Sequence, residues 1–198
     1  MQNAKNILIS GVGGQGTVLA SRLIASAFMK KGDFVRTAET IGMAQRGGCV
    51  VSHVRIDSES ESSIIPLKTA GLLISFEPAE AVRCLPRLSE NGGCVVNTQA
   101  IMPVTASLGG VAYDEEKIIS KLKSSVKSLV LINASELAVK AGSQKAVNVV
   151  LLGACIGAGF LNITLDELTE ALLEMLPPKL HEVNLKALQL GYSSAKKY

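Results

Sequence analysis

Tryptophan is absent from this chain, and the aromatic residues together make up only 4% of it. Proteins that grip nucleic acid usually set stacking aromatics beside stripes of basic residues. Here the formal net charge is only +3, with Lys and Arg scattered along 198 residues. Nucleic acid is therefore not an expected partner. Charge of either sign is also sparse, at 19%. No apolar run reaches the roughly 18 residues that mark a membrane-spanning helix. The longest, 146–161, is interrupted by Asn148 and three glycines. The first residues lack the basic, apolar, small-residue order of a signal peptide. A cytoplasmic protein without membrane association is the expectation. The four cysteines, Cys49, Cys84, Cys94 and Cys155, lie far apart with no C-x-x-C pair. They read as reduced, mostly buried thiols. Iron–sulfur clusters usually draw on closely spaced cysteines, so the chain is not expected to hold one alone.

What is abundant is aliphatic side chain, in a composition that is 47% hydrophobic with a mean hydropathy of +0.32. Ala, Val, Leu and Ile in short runs suit parallel strands covered on both faces. They also suit a subunit that buries further surface against a partner. The pattern along the chain predicts strands near 6–10, 33–39, 49–56, 71–76, 94–97 and 128–132. Helices are expected from Gly16 to Lys31, over 78–88 and over 115–124. Asn91-Gly-Gly93 reads as a turn, and 98–113 as irregular with a strand near Val111. From Ala134 the pattern is helical, over 134–141, 146–160, 165–176 and 181–191, with Pro177-Pro178 as punctuation. The fold class expected is α/β: a Rossmann-like, mostly parallel sheet flanked by helices, with a C-terminal helical segment. The expected organisation is a single domain over 1–198, with the sheet core in 1–133 and the helical part in 134–198.

Two glycine-rich loops carry the clearest chemical signal. Gly11-Val-Gly13-Gly14-Gln15-Gly16 matches G-x-G-x-x-G after a strand and at a helix start. Glycines there allow a tight turn and close backbone approach, and the helix start offers free N–H groups to an anion. The same residues would equally serve helix–strand packing alone. A dinucleotide site would add an acid at the end of the second strand, for which Glu39 is the candidate. The second loop holds Gln45-Arg46-Gly47-Gly48. Arg46 could fork onto a phosphate or carboxylate, and Gly47-Gly48 could offer backbone N–H groups as an anion nest. A solvated surface loop is the bland alternative.

No self-contained catalytic set is visible. His53 falls in a strand and His181 at a helix start, and both read as structural. Ser10 and Ser52 have no evident base, and nothing local activates Cys49. Carboxylate pairs such as Glu115-Glu116 fall on exposed helices. Neither catalytic nor metal-ligating residues are assigned.

Several motifs, in order, resemble the gamma-type subunit family of 2-oxoacid:ferredoxin oxidoreductases. They are the 11–16 run, Glu39, Gly42-Met-Ala-Gln-Arg-Gly-Gly48, Val51-Ser-His-Val-Arg55, Phe76-Glu-Pro78 with Glu80-Ala81, Val96-Asn97-Thr98-Gln99, Asn148-Val-Val-Leu-Leu-Gly153 and Asn184 with Gly191-Tyr192. Ala44-Gln-Arg-Gly-Gly48 and Asn97-Thr-Gln99 look most like the small subunit of the branch that acts on indolepyruvate. The resemblance implies a subunit, inactive alone, of a complex that oxidatively decarboxylates a 2-oxoacid to an acyl-coenzyme A, with ferredoxin as electron acceptor. It implies a large alpha subunit as partner, carrying thiamine diphosphate and the iron–sulfur clusters. For this chain it implies coenzyme A at most, at Gly11, Gly13, Gly14, Gln15, Gly16, Gln45, Arg46, Gly47 and Gly48. The two loops are expected to line one crevice. The alternatives are a stand-alone nucleotide-binding oxidoreductase, with Glu39 on a ribose, and a structural or regulatory protein that retains the fold.

Overall fold

The computed structural model describes residues 5–42, 48–57, 62–102 and 113–196. Strand β1 (Asn6–Val12) is followed by helix α1 (Thr17–Lys30), strand β2 (Val35–Ile41) and strand β3 (Cys49–Ile56). Strand β4 (Ala70–Ser75), helix α2 (Pro78–Cys84), strand β5 (Leu88–Asn97), helix α3 (Glu115–Ser125) and strand β6 (Ser128–Ile132) complete the sheet region. Four helices follow: α4 (Ala134–Ala141), α5 (Val147–Gly157), α6 (Leu165–Met175) and α7 (His181–Ala195).

The sheet runs β2-β3-β1-β4-β5-β6. The β1–β4, β4–β5 and β5–β6 pairs are parallel, whereas β3 is antiparallel to both β1 and β2. Five strands therefore share one direction, and β3 alone is reversed. This is the expected Rossmann-like, mostly parallel sheet with one hairpin strand inserted beside β1.

Side-chain alternation divides the core into two layers. Ile7 and Ile9 of β1, with Leu72 and Ile74 of β4, pack against α1 and the C-terminal helices. Leu8, Leu73, Cys94 and Val96 face Ala81, Cys84 and Leu122 of α2 and α3. Helix α5 is buried all round from Val147 to Cys155, as an evenly apolar helix must be. Full burial of each Val or Leu contributes roughly 1.5–3 kcal/mol. Helix α7 lies hard against α5. A Cβ added at Gly153, Gly157 or Gly191 would run into the carbonyl oxygens of Leu188, Tyr192 and Val150 respectively. Among the described residues, no helix is long and apolar enough to cross a membrane.

Some boundaries differ from the sequence expectation. Strand β2 starts at Val35 rather than 33, because Lys31, Gly32 and Asp33 still close the end of α1 onto Phe28 and Met29. Helix α2 stops at Cys84 and passes into a 3-10 turn, Leu85–Arg87. Asn91-Gly-Gly93 is not a turn. It lies inside β5, where the ladder shifts register between Ala70 and Leu72. A Cβ at Gly92 would come within 2.9 Å of the Ala70 carbonyl, and one at Gly93 within 2.9 Å of the Phe160 ring. These glycines serve close packing. The strand expected near Val111 falls outside the described residues.

Candidate functional site

The reversed β3 leaves the C-terminal ends of β1, β4, β5 and β6 on one side of the sheet. The chain leaves β1 for α1 and β2 on one flank and fills the other flank with β4 to β6. A crevice at this reversal of strand order is where open α/β sheets bind ligands.

The turn after β1 occupies that point. Gly14 (φ 99°) and Gly16 (φ 88°) adopt left-handed conformations, which side chains with a Cβ rarely tolerate. The Gln15 N–H donates to Val12 O at 3.2 Å, and the Gly13 N–H to Gly48 O at 2.9 Å. The Gln15 side chain folds back under the turn. Its Oε1 accepts from the Val12 N–H at 2.6 Å, and its Nε2 donates to Phe76 O at 3.1 Å. Gly11 makes room for this brace, since a Cβ there would lie 2.8 Å from Gln15 Oε1. Gln15 and Gly11 are therefore positioning residues, with the side-chain polar atoms of Gln15 already engaged.

The Phe76 carbonyl links two walls. It also accepts from Asn97 Nδ2 at 3.2 Å. Asn97 Nδ2 donates to Ser135 Oγ at 3.1 Å, and Asn97 Oδ1 accepts from the Ala134 N–H at 3.0 Å. One buried asparagine thereby ties the ends of β4 and β5 to the start of α4.

Beside these ends opens a cleft of about 800 Å3. One wall is Gly14, Gln15, Gly16 and Leu19; the opposite wall is Gln144, Lys145, Val147 and Asn148; Gln99, Ala100, Ile101 and Ser135 close it. Helices α1 and α5 both start here, with no side-chain cap and no acidic residue in the first turn. The free N–H groups at the start of α1 and the dipoles of both helices favour an anion. Asn148 is only 2% exposed. Its Oδ1 accepts from the Val149 N–H at 2.9 Å, and its Nδ2 has no partner among the described residues. That amide points toward Gly16, where an added Cβ would sit 3.1 Å from it. Lys145 supplies a positive charge, and no carboxylate lines the cleft.

Of the residues singled out from sequence, Gly14, Gln15 and Gly16 line this cleft. Gly13 and Gly48 are joined by a hydrogen bond, but neither lines the cleft. Gln45, Arg46 and Gly47 lie outside the described residues. Asn148, Lys145, Gln144, Gln99 and Ser135 were not assigned to a site. The available signal was Asn148 itself, a polar residue in an otherwise aliphatic helix.

Glu39 does not complete a dinucleotide site. Strand β3 separates β2 from β1, which sets β2 about 10 Å from β1 at ordinary strand spacing. Glu39 is exposed and accepts a hydrogen bond from Ser21 Oγ at 3.2 Å.

The other reactive side chains are held in structural roles. His53 is buried, and its Nδ1 accepts from the Ile65 N–H at 3.2 Å. Burial, helped by the charge of Arg87, lowers its pKa to about 4. Burial and the neighbouring Glu80 carboxylate push the Cys49 thiol up to about 12. Burial likewise raises Cys84, Cys94 and Cys155. None is a ready thiolate. Among the described residues, no group of three or more His, Cys, Asp or Glu could hold a metal ion, so these residues do not fit an iron–sulfur cluster.

Residues 6–194 match the family model described as pyruvate ferredoxin/flavodoxin oxidoreductase. The chain belongs to this family. The 2-oxoacid:ferredoxin oxidoreductase small subunits are its place within it. Among similar proteins is the indolepyruvate oxidoreductase subunit IorB of Archaeoglobus fulgidus, 42% identical over 96% of this chain and 94% of that protein. IorB of Methanothermobacter thermautotrophicus is 39% identical over 96% and 97%. The fold recurs in the keto/oxoacid ferredoxin oxidoreductase gamma subunit from Geobacter sulfurreducens (TM-score 0.70, 22% identity, 98% of this chain and 99% of that one). It recurs also in 2-oxoglutarate:ferredoxin oxidoreductase from Magnetococcus marinus (TM-score 0.74, 22% identity), where all of this chain aligns with 32% of the longer one. That longer protein was solved with 2-oxoglutarate, coenzyme A and succinyl-coenzyme A bound. As a member of the family, this chain is a subunit of a 2-oxoacid:ferredoxin oxidoreductase.

Proposed function

We propose that this chain is the small, cytoplasmic subunit of a complex that oxidatively decarboxylates an aryl-2-oxoacid of the indolepyruvate type, and that its cleft holds the diphosphate of coenzyme A. Support for the substrate is the similarity to the indolepyruvate oxidoreductase subunits. Support for the ligand is the unpartnered Asn148 amide between two uncapped helix starts. The N–H groups of Gly16 to Leu19 would face the phosphates, with the dipole of α5 opposite, Asn148 Nδ2 donating and Lys145 adding charge. Arg46, two residues before Gly48 in the sequence, is the further cation of the proposal. When bound, coenzyme A supplies the thiol that accepts the acyl group. The chain's own residues bind and orient it. Thiamine diphosphate and iron–sulfur chemistry belong to the large subunit in this proposal, and ferredoxin takes its electrons from there.

Coenzyme A titrated into the isolated chain and into the complex tests this reading. Asn148→Asp places a carboxylate against the phosphates and is expected to weaken coenzyme A binding at least tenfold, the loss of about 1.4 kcal/mol that one charge-assisted hydrogen bond readily carries. Arg46→Ala is expected to weaken it less, or to impair assembly and turnover. If neither variant alters affinity, assembly or turnover, the cleft has another purpose.

A further inference from the structure

Strand β2 is one of the two edges of the sheet, β6 being the other, and we propose that two copies of this chain pair through β2. The pairing is antiparallel about a twofold axis at Ala38, joining two six-stranded sheets into one. The phase of the edge is set by its bonds to β3. The ladder runs without irregularity from Val35↔Ile56 to Ile41↔Val50. It continues where the Asp57 N–H donates to Phe34 O at 2.8 Å and the Gly42 N–H to Cys49 O at 3.1 Å. The main-chain groups of the even-numbered residues thus point to β3, and those of Val35, Thr37, Glu39 and Ile41 point away. Among the described residues, these outward N–H and C=O groups have no main-chain partner. Natural edges are usually blunted by proline, a bulge or a helical cover. Among the described residues strand β2 has no proline, bulge or helical cover, only the charged side chains of Arg36 and Glu39, and most of it is exposed.

The sequence of β2 is complementary to itself in one register. With Ala38 opposite Ala38, each outward residue meets an outward residue: Val35 faces Ile41 of the second copy, and Thr37 faces Glu39 of the second copy. Every free main-chain group of the strand is then satisfied, and the threonine hydroxyl can donate to the carboxylate. Phe34 and Ile41 are 58% and 56% exposed at the two ends of the strand. Ile41 is covered by Val35, and Phe34 lies over Gly42 of the second copy, an aromatic shielding a glycine. The Phe34 ring already packs on the Arg36 guanidinium, 4.5 Å from its centroid, which holds it on that face. Sliding by two residues one way sets Glu39 against Glu39. Sliding the other way sets Val35 against Glu39 and leaves Ile41 uncovered. Isologous pairing in the Ala38 register, which pairs all four outward residues of β2, is the closed, twofold solution.

Cysteine cross-linking of the full chain reads this register directly. At Ala38 the two Cα atoms come about 4.5 Å apart, as in a non-hydrogen-bonded pair, within disulfide reach. At Thr37 the symmetry mate is offset by two residues, beyond that reach. Ala38→Cys under mild oxidation is expected to give a covalent dimer, and Thr37→Cys and the unchanged chain are not. Sedimentation of the unmodified chain is expected to show twice the 20.8 kDa chain mass. Thr37→Pro removes only an outward N–H and is expected to return the monomer with its circular dichroism unchanged. A monomer at every concentration with no Ala38→Cys cross-link overturns the proposal. So does a cross-link that disappears once the large subunit is bound, for the edge would then be that subunit's docking strand.

Discussion

His53 occupies the middle of β3 with its ring in the layer beneath Ile65, and its neutrality is part of the packing there. Its pKa lies near 4 instead of 6.5, because burial and Arg87 oppose a positive charge. Between these values the unfolded chain takes up a proton that the native chain refuses. This contribution to stability is complete above about pH 6.5 and is lost as pH falls from there toward 4. At 1.36 kcal/mol per unit, the whole effect is on the order of 3 kcal/mol. Urea midpoints at pH 7 and pH 4.5 are expected to differ more for the unchanged chain than for His53→Gln, whose amide oxygen can still accept from Ile65. Equal slopes for the two proteins would show that His53 does not carry the difference. At the same scale, Gly14 and Gly16 were legible in the sequence because left-handed turns need glycine. The role of Gln15 was not, because its side chain answers to Phe76, sixty-one positions away. Asn148 was visible as a polar interruption of an aliphatic run. Its meaning required knowing that α5 begins opposite α1.

Elements with local signals were read closely. Strands β3 and β6 and helix α4 match their expected bounds, since aliphatic runs between polar breaks mark them without help from neighbours. Helix α6 is announced by Thr164 and Glu167, which cap each other's backbone N–H at 3.1 and 2.6 Å. Strand β5 was missed over its first half because glycines serving contact with Leu88, Ala70 and Phe160 look like turn glycines in one dimension. The α5–α7 pair has the same character, its glycines being sites of backbone approach. Gly191→Ala, exposed to no solvent-side relief, must push α7 off the Val150 carbonyl. Overpacking of this kind typically costs about 1–3 kcal/mol. A lower urea midpoint with an unchanged m-value is the expected result, since only the native packing changes. Alanine would otherwise raise the midpoint slightly through its higher helix propensity. An increase would therefore mean that the two helices have slack.

The whole molecule separates two readings that no single motif could. G-x-G-x-x-G on a strand–turn–helix suits both a dinucleotide site and the cleft described above. What distinguishes them is the strand order, in which β3 stands between β1 and β2 and carries Glu39 away from the glycine turn. The hairpin responsible is non-local pairing, with β3 inserted between strands already connected through α1, and hydrophobic pattern alone does not encode that insertion. Thermal melting of the purified chain provides the corresponding test. A ligand at one hundred times its dissociation constant stabilises by about 2.7 kcal/mol. For a chain of this size that corresponds to a rise in Tm of roughly 5–11 °C. Coenzyme A is expected to produce such a rise and NAD and FAD a smaller one, because the anion-favouring half of the cleft can take any diphosphate and the ribose-binding acid is absent. The rise should shrink in Lys145→Ala and at high salt, as screening weakens an exposed cation. A shift with NAD as large as that with coenzyme A, surviving Glu39→Ala, would show that the cleft selects for the diphosphate and not for coenzyme A. One that disappears in Glu39→Ala would restore the dinucleotide reading despite the inserted strand.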